Sequence, residues 1–193
     1  MSYDAIFMFG PQGSGKGTQS RVLAEKLGFF YWDMGAILRE EREFVLSDGE
    51  KVGGIIDPGG YLNDGQLAQV VQKRAGELPL GQGVIFDGVP RSIGQAKFML
   101  GLMHDRGSKS FATIFITLPR EESLKRLLLR AAKERRPDDT PEGINRRLKW
   151  YEEVILPTLD YLKAHSTFIE VNGCPPIPEV TSAIDRALGL SNA

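Results

Sequence analysis

The decapeptide GPQGSGKGTQ, Gly10 to Gln19, lies between an apolar run, Ala5–Phe9, and a segment of helical spacing, Lys16–Leu27. Strand, glycine-rich turn and helix in direct succession is the context in which G-x-x-x-x-G-K has a physical meaning. The glycines let successive backbone N–H groups turn inward around a polyphosphate, and the helix N-terminus adds the positive end of its dipole. Lys16 supplies a mobile point charge for the β and γ phosphates, so a nucleoside triphosphate is the natural ligand of the loop.

Gly17 is the discordant residue, because a Ser or Thr at that position usually coordinates magnesium. Two arrangements stay open on the residues alone. Thr18 reaches the ion through a changed helix entry, or the ion keeps its waters and is held through them by a carboxylate elsewhere, which suits magnesium's reluctance to dehydrate. The candidate is Asp87, which ends the run Gly83-Val-Ile-Phe-Asp87 and precedes Gly88-Val89-Pro90-Arg91. An acid at the end of a central strand is the second metal-side element of a P-loop enzyme.

Four further runs, Phe29–Trp32, Val84–Phe86, Thr113–Thr117 and Thr167–Val171, read with Ala5–Phe9 as buried strands. Helical spacing recurs between them, over Gly35–Phe44, Gln66–Gly76, Ile93–His104, Glu121–Ala132, Pro141–His165 and Pro178–Leu188. Such alternation predicts an α/β fold: a five-stranded parallel sheet with helices on both faces, in three layers. Thr140 before Pro141 caps the long helix, and Pro157 is expected to kink it. The intervals 34–76 and 131–139 break the alternation, and both are expected to project from the C-terminal edge of the sheet, where open α/β folds bind ligands. The 193 residues suit one domain carrying these two inserts.

The formal net charge of -1 argues against a polyanion-binding surface, so nucleic acid is not an expected partner. Cys174 is the single cysteine, and His104 and His165 are far apart in sequence, which excludes an internal disulfide and disfavours a zinc cage. A reducing cytoplasm fits. The run Ala5–Phe9 is too short for a signal-peptide core and no stretch reaches about 18 apolar residues, so neither secretion nor a membrane span is expected.

Arg126 and Arg130 are four apart and share a helix face ahead of the interval 131–139, while Arg136 lies within that interval and Arg147 beyond it. Phosphoryl transfer offers little covalent chemistry, so a protein must align its substrates and neutralise the equatorial oxygens, a task suited to several guanidinium forks. No Ser-His-Asp arrangement, reactive-cysteine context or Asn-Lys-x-Asp guanine-reading motif competes.

Taken together the residues resemble the adenylate kinase family, within the nucleoside monophosphate kinases, over nearly the whole chain. The motifs are Gly10–Gln19, Gly35-Ala-Ile-Leu-Arg39, Gly60-Tyr-Leu62, Asp87-Gly-Val-Pro-Arg91 with Gln95, Arg126 with Arg130, Arg136-Pro-Asp-Asp139 with Arg147, and Val171-Asn-Gly173. The family's loop also carries Gly-Lys-Gly-Thr, so the resemblance implies that Gly17 is normal and that magnesium is held largely through water, with Asp87 as the protein carboxylate. It implies a P-loop NTPase-like core, an NMP-binding helical insert at 34–76 and a short, zinc-free lid at 131–139. It further implies a cytoplasmic monomer that interconverts ATP plus AMP with two ADP, using magnesium with ATP, for adenine nucleotide homeostasis.

Position by position, the resemblance implies that Gly13, Ser14, Gly15, Lys16, Gly17, Thr18 and Arg130 hold ATP phosphates. Arg126 would lie over the ATP base, and the segment after Gly173, including Pro175, would pass it. Arg39 and Arg91 would clamp the monophosphate, joined by Arg136 and Arg147 when the lid closes. Gln95 would read the adenine edge, with Met34, Tyr61, Leu62, Asn63, Gly88, Val89 and Pro90 lining that pocket. Lys16, Asp87, Arg91, Arg126, Arg130, Arg136 and Arg147 form the implied catalytic set.

The chain departs from the family at Met34-Gly35-Ala36, where Thr-Gly-Asp is usual, and at Val89, Asn145 and Pro175. Two polar side chains are thereby lost near the acceptor. A kinase for UMP, CMP or mixed monophosphates is one alternative, and an inactive nucleotide-binding regulator is another. Gln95 favours adenine, because one amide can donate to and accept from its edge.

Overall fold

The computed structural model describes residues 3–134 and 140–190. Strands β1 (Ala5–Phe9), β2 (Phe30–Asp33), β3 (Val84–Asp87), β4 (Phe111–Thr117) and β5 (Thr167–Asn172) form an all-parallel sheet in the order β2-β3-β1-β4-β5. The helices are α1 (Lys16–Leu27), α2 (Met34–Glu40), α3 (Val52–Ile56), α4 (Asp64–Arg74), α5 (Ile93–Asp105), α6 (Arg120–Glu134), α7 (Pro141–Trp150), α8 (Leu156–His165) and α9 (Ile177–Leu188). The strands expected from the apolar runs are all present, with β4 starting earlier than expected, at Phe111.

Every residue of β1 is buried, as a central parallel strand covered on both faces requires. The side chains of Ala5 to Met8 alternate between two cores, and Phe9 joins a third with Ala96 and Ile155. Phe7 joins Val84 and Phe86 of β3 against Leu67 and Val70 of α4 and Met99 of α5. Ile6 and Met8 turn the other way, with Ile85 and Ile114, onto Leu23 of α1 and Val180 and Ile184 of α9. Two helical layers therefore enclose the sheet and fix its C-terminal ends.

Helix α2 is shorter than the expected Gly35–Phe44. It starts where the Asp33 side chain accepts the Ala36 N–H at 2.9 Å, and it ends at Glu40. Helix α3, which the spacing did not single out, is one short turn of VGGII held by the burial of Val52 and Gly53. Helices α2, α3 and α4 fill residues 34–76, between β2 and β3. Of the expected lid interval 131–139, residues 135–139 lie outside the described residues.

The expected long helix Pro141–His165 is present in three parts. Thr140 Oγ1 accepts from Gly143 N–H at 3.0 Å to cap α7, a π-helical turn spans Tyr151–Ile155, and α8 follows. The break has a local cause. Pro157 has no N–H to give and its ring crowds the carbonyl four residues back, and the wide turn before it opens that ladder.

Candidate active site

The parallel pairing sets the site. Met8 of β1 lies opposite Asp87 of β3, and Asp33 of β2 lies opposite the same Asp87, so the loops leaving β1 and β3 emerge side by side. The β1 loop is the glycine run. It enters α1 through Gly15 in the left-handed region, φ 91°, a conformation that costs a glycine nothing.

Lys16 Nζ donates to the carbonyls of Gly10 at 2.7 Å and Pro11 at 2.8 Å. Burial draws its pKa down to about 8, opposed by the Asp87 carboxylate and assisted by the Arg91 and Arg130 guanidiniums. Three cationic side chains and one acid thus act on one point. Burial pushes the Asp87 carboxyl up and the neighbouring Asp33 adds to this, against the pull of Lys16, the Tyr31 hydroxyl bond and Arg91. Tyr31 donates to Asp87 Oδ2 at 3.1 Å, and burial followed by Asp87 pushes its own phenol up.

Gly17 faces this pair: a Cβ there would stand 3.3 Å from Asp87 Oδ2 and 3.7 Å from the Tyr31 hydroxyl. Thr18 is exposed on α1. Ser14, at 3% exposure, has a buried hydroxyl with no partner among the described residues, and the Ser123 hydroxyl donates to Gln12 O to tie the loop to α6.

On the β3 side, Gly10, Lys16, Gly88, Pro90 and Arg91 line a narrow cleft. Arg91 Nε–H donates to Gly88 O at 2.7 Å, and its guanidinium lies 4.8 Å from the centre of the Tyr61 ring. A Cβ on Gly88 would meet Arg91 Nη2 at 3.4 Å and Met34 Cβ at 3.6 Å, and one on Gly35 would meet Arg39 Nη1 at 3.3 Å. Arg39 and Arg91 therefore belong to one neighbourhood, and neither has a carboxylate partner among the described residues.

Gln95, 4% exposed, accepts the Arg91 N–H on Oε1 at 2.8 Å and donates from Nε2 to Leu62 O at 3.4 Å. It links the turn after β3 to the segment before α4 while keeping one lone pair and one hydrogen uncommitted. Met34, Leu62 and Val89 are core residues, and the Asn63 side chain closes a capping box with Gln66 on α4.

Arg126 donates to the carbonyls of Gly173 at 3.0 Å and Cys174 at 3.1 Å, and its Nε–H pairs with Glu122 at 2.8 Å. It thereby joins α6 to the segment after β5, where Pro175 lines a separate groove with Asn172 and Arg186. Arg147 is buried in α7, with Nε 3.4 Å from Gly143 O. Arg136 lies outside the described residues.

Sequence reasoning passed over Tyr31, Gln12, Ser123 and Trp150. Tyr31 carried a usable signal, since it precedes by two residues the strand end that pairs with Asp87. The others depend on contacts between distant elements, which no local pattern announces.

Among the described residues, no three or more His, Cys, Asp or Glu side chains form a metal cage, and no helix is long and apolar enough to cross a membrane. A metal carried in by a nucleotide is the case this donor set fits. Its oxygens would come from phosphates and water, and the buried, raised Asp87 is the carboxylate that a nearby cation would stabilise.

Comparison with known proteins gives a consistent result. A family model described as adenylate kinase matches residues 8–167. The chain is 34% identical over 186 residues to an adenylate kinase of Thermus thermophilus, covering 96% of this chain and 97% of that protein. It is 34% identical over 183 residues to an adenylate kinase of Maricaulis maris, with 95% and 97% covered, and 32% identical over 183 residues to one of Stenotrophomonas maltophilia, with 95% and 98% covered.

Proposed function

Because the chain belongs to the adenylate kinase family, we propose that it transfers the terminal phosphoryl group of ATP reversibly to AMP, giving two ADP. The observation that carries this reading is the meeting of Lys16 and Arg91 in one cleft beside Gly10, with Asp87 next to Gly17 and the Arg130 charge also acting on Lys16. Arg39 and Arg91, two guanidiniums in one neighbourhood without carboxylate partners among the described residues, lie beside it.

The loop amides and Lys16 hold the donor phosphates, with Arg130 adding charge. Arg126, fixed at Gly173 and Cys174, borders the donor base. Arg39 and Arg91 clamp the acceptor phosphate, joined by Arg147 and, as the family resemblance implies, by Arg136, which lies outside the described residues. No general base is needed, because the reaction is driven by alignment and neutralisation of charge. Magnesium bound with ATP supplies charge neutralisation across the β and γ phosphates. Asp87 would hold that ion through water: Gly17 leaves the approach to its carboxylate open, and Tyr31 orients one of its oxygens. The reading takes the chain as a cytoplasmic monomer.

A second reading, a kinase of broader monophosphate selectivity, draws support from the acceptor side. Met34 is buried in the core, Ala36 offers no polar side chain, and Gln95 already serves Arg91 and Leu62. A coupled assay with magnesium-ATP and each monophosphate in turn decides between them. Turnover with AMP well above that with CMP and UMP is expected, comparable rates give the broader reading, and silence with all of them overturns both in favour of a nucleotide-binding regulator. Arg91→Ala is expected to lose about 10³-fold in activity with the fold intact, by the scale of arginine contacts to transferring phosphates.

A further inference from the structure

One row of α7 faces the 34–76 insert. Gly143, Arg146 and Trp150 are spaced three and four residues apart, so they lie along one side of the helix. Each meets the segment Pro58–Tyr61. A Cβ on Gly59 would stand 3.4 Å from Gly143 Cα, Arg146 Nη1 donates to Pro58 O at 2.9 Å, and the Trp150 ring stacks on Tyr61 with centroids 3.9 Å and planes 12° apart. The Arg91 guanidinium lies 4.8 Å from the Tyr61 centroid. Rings 3.9 Å apart leave no space between them, so the guanidinium stands on the other face of Tyr61. Gln12 of the glycine loop fixes the ring's direction by donating from Nε2 to the Tyr61 hydroxyl at 2.9 Å.

We propose that Trp150 and Tyr61 are a positioning pair for the acceptor phosphate: Trp150 braces the Tyr61 ring, and that ring holds the Arg91 guanidinium in its binding orientation. The proposal rests on the reading of Arg91 as an acceptor ligand. Its physical content is preorganisation. An arginine side chain loses rotamer freedom when it grips a phosphate, and a cation–π contact that fixes it beforehand lowers that cost. Tyr61 thereby acts through Arg91, and Trp150 acts through Tyr61. Trp150 needs no contact with the substrate, so its variants read positioning separately from the part Tyr61 has in lining the acceptor pocket.

The test uses the full chain and five variants: W150L, W150F, Y61L, Y61F and R91A. Tyr61 and Trp150 are half-buried, and W150Q repeats the measurement if W150L fails to fold. Steady-state kinetics with varied AMP and varied ATP are paired with calorimetric titration of AMP alone. The leucine variants are expected to raise the KM and Kd for AMP by about tenfold, the scale of one cation–π contact, while the KM for ATP and kcat stay within about twofold. The phenylalanine variants keep an aromatic face and are expected to restore AMP binding to within about threefold of the parent. A general packing role would instead move both substrates together. If R91A loses AMP binding and the leucine variants do not, the positioning pair is overturned while the acceptor reading stands. If R91A binds AMP normally, both fall.

Discussion

Lys16 and Asp87 are each held against their own charge, and the signs can be worked through. With a folded pKa near 8 against an ordinary 10.5, Lys16 is deprotonated in the folded chain but protonated in the unfolded one between those values. Its contribution to stability therefore rises with pH across that window and is unfavourable below it. On the proposed reading, in which the ammonium binds the ATP phosphates, the KM for ATP is expected to climb above about pH 8 and to flatten in K16R, whose guanidinium does not titrate. A pH series of initial rates checks this. Asp87 is shifted upward, so the unfolded chain gives up this proton first, and the carboxyl destabilises the fold as pH rises from the ordinary aspartate range through its folded pKa. D87N is then expected to raise the melting temperature at neutral pH while reducing turnover by 10²-fold or more, on the scale of a lost electrostatic stabiliser. A lower melting temperature would contradict the assigned strain. Gly17 was legible in the sequence as a missing hydroxyl, but its reason was not: the space a side chain would need belongs to Asp87 and Tyr31, which reach it from other strands.

At the scale of elements, the capping chemistry separates stability from catalysis. Asn63 closes a capping box on α4, and N63A is expected to cost about 1 kcal/mol, lowering the melting temperature by roughly 2–4 °C in a chain of this size. Calorimetric melts read that cost to the fold, and the KM for AMP measured beside them reads the part of Asn63 in the acceptor pocket. The apolar runs located the strands because a strand buried on both faces must be apolar throughout. Helix α1 was equally legible, bounded by Gly15 and Gly28. Helix α3 was not, since two glycines in five residues give no helical signal and the turn is held by tertiary contacts, the burial of Val52 and Gly53 and their N–H bonds to Phe44 O and Arg42 O. The shortening of α2 has the same origin, in tertiary packing that overrides local spacing.

For the whole molecule, the sheet order explains why residues far apart in sequence meet. Placing β3 beside β1 sets Asp87 against Lys16 across the ends of adjacent strands. The glycine motif and the strand-end acid pointed to this junction from the sequence, whereas the meeting of Pro58–Tyr61 with α7 depends on how two connections fold over the edge. That contact also gives meaning to the π turn at Tyr151–Ile155. A π turn holds one residue more than an α-helix following the same path, so it is a length of slack between α7, which faces the insert, and α8, which packs on the sheet. Removing one residue is a different event on its two sides. Deleting Glu153 takes up the slack and leaves both helices in phase, whereas deleting Lys149 turns Gly143 by about 100° relative to Trp150, so that the two ends of the row no longer share a face. Acceptor affinity is expected to survive the first deletion and fail in the second, which makes this turn the place where the chain can change length without losing the alignment of its parts.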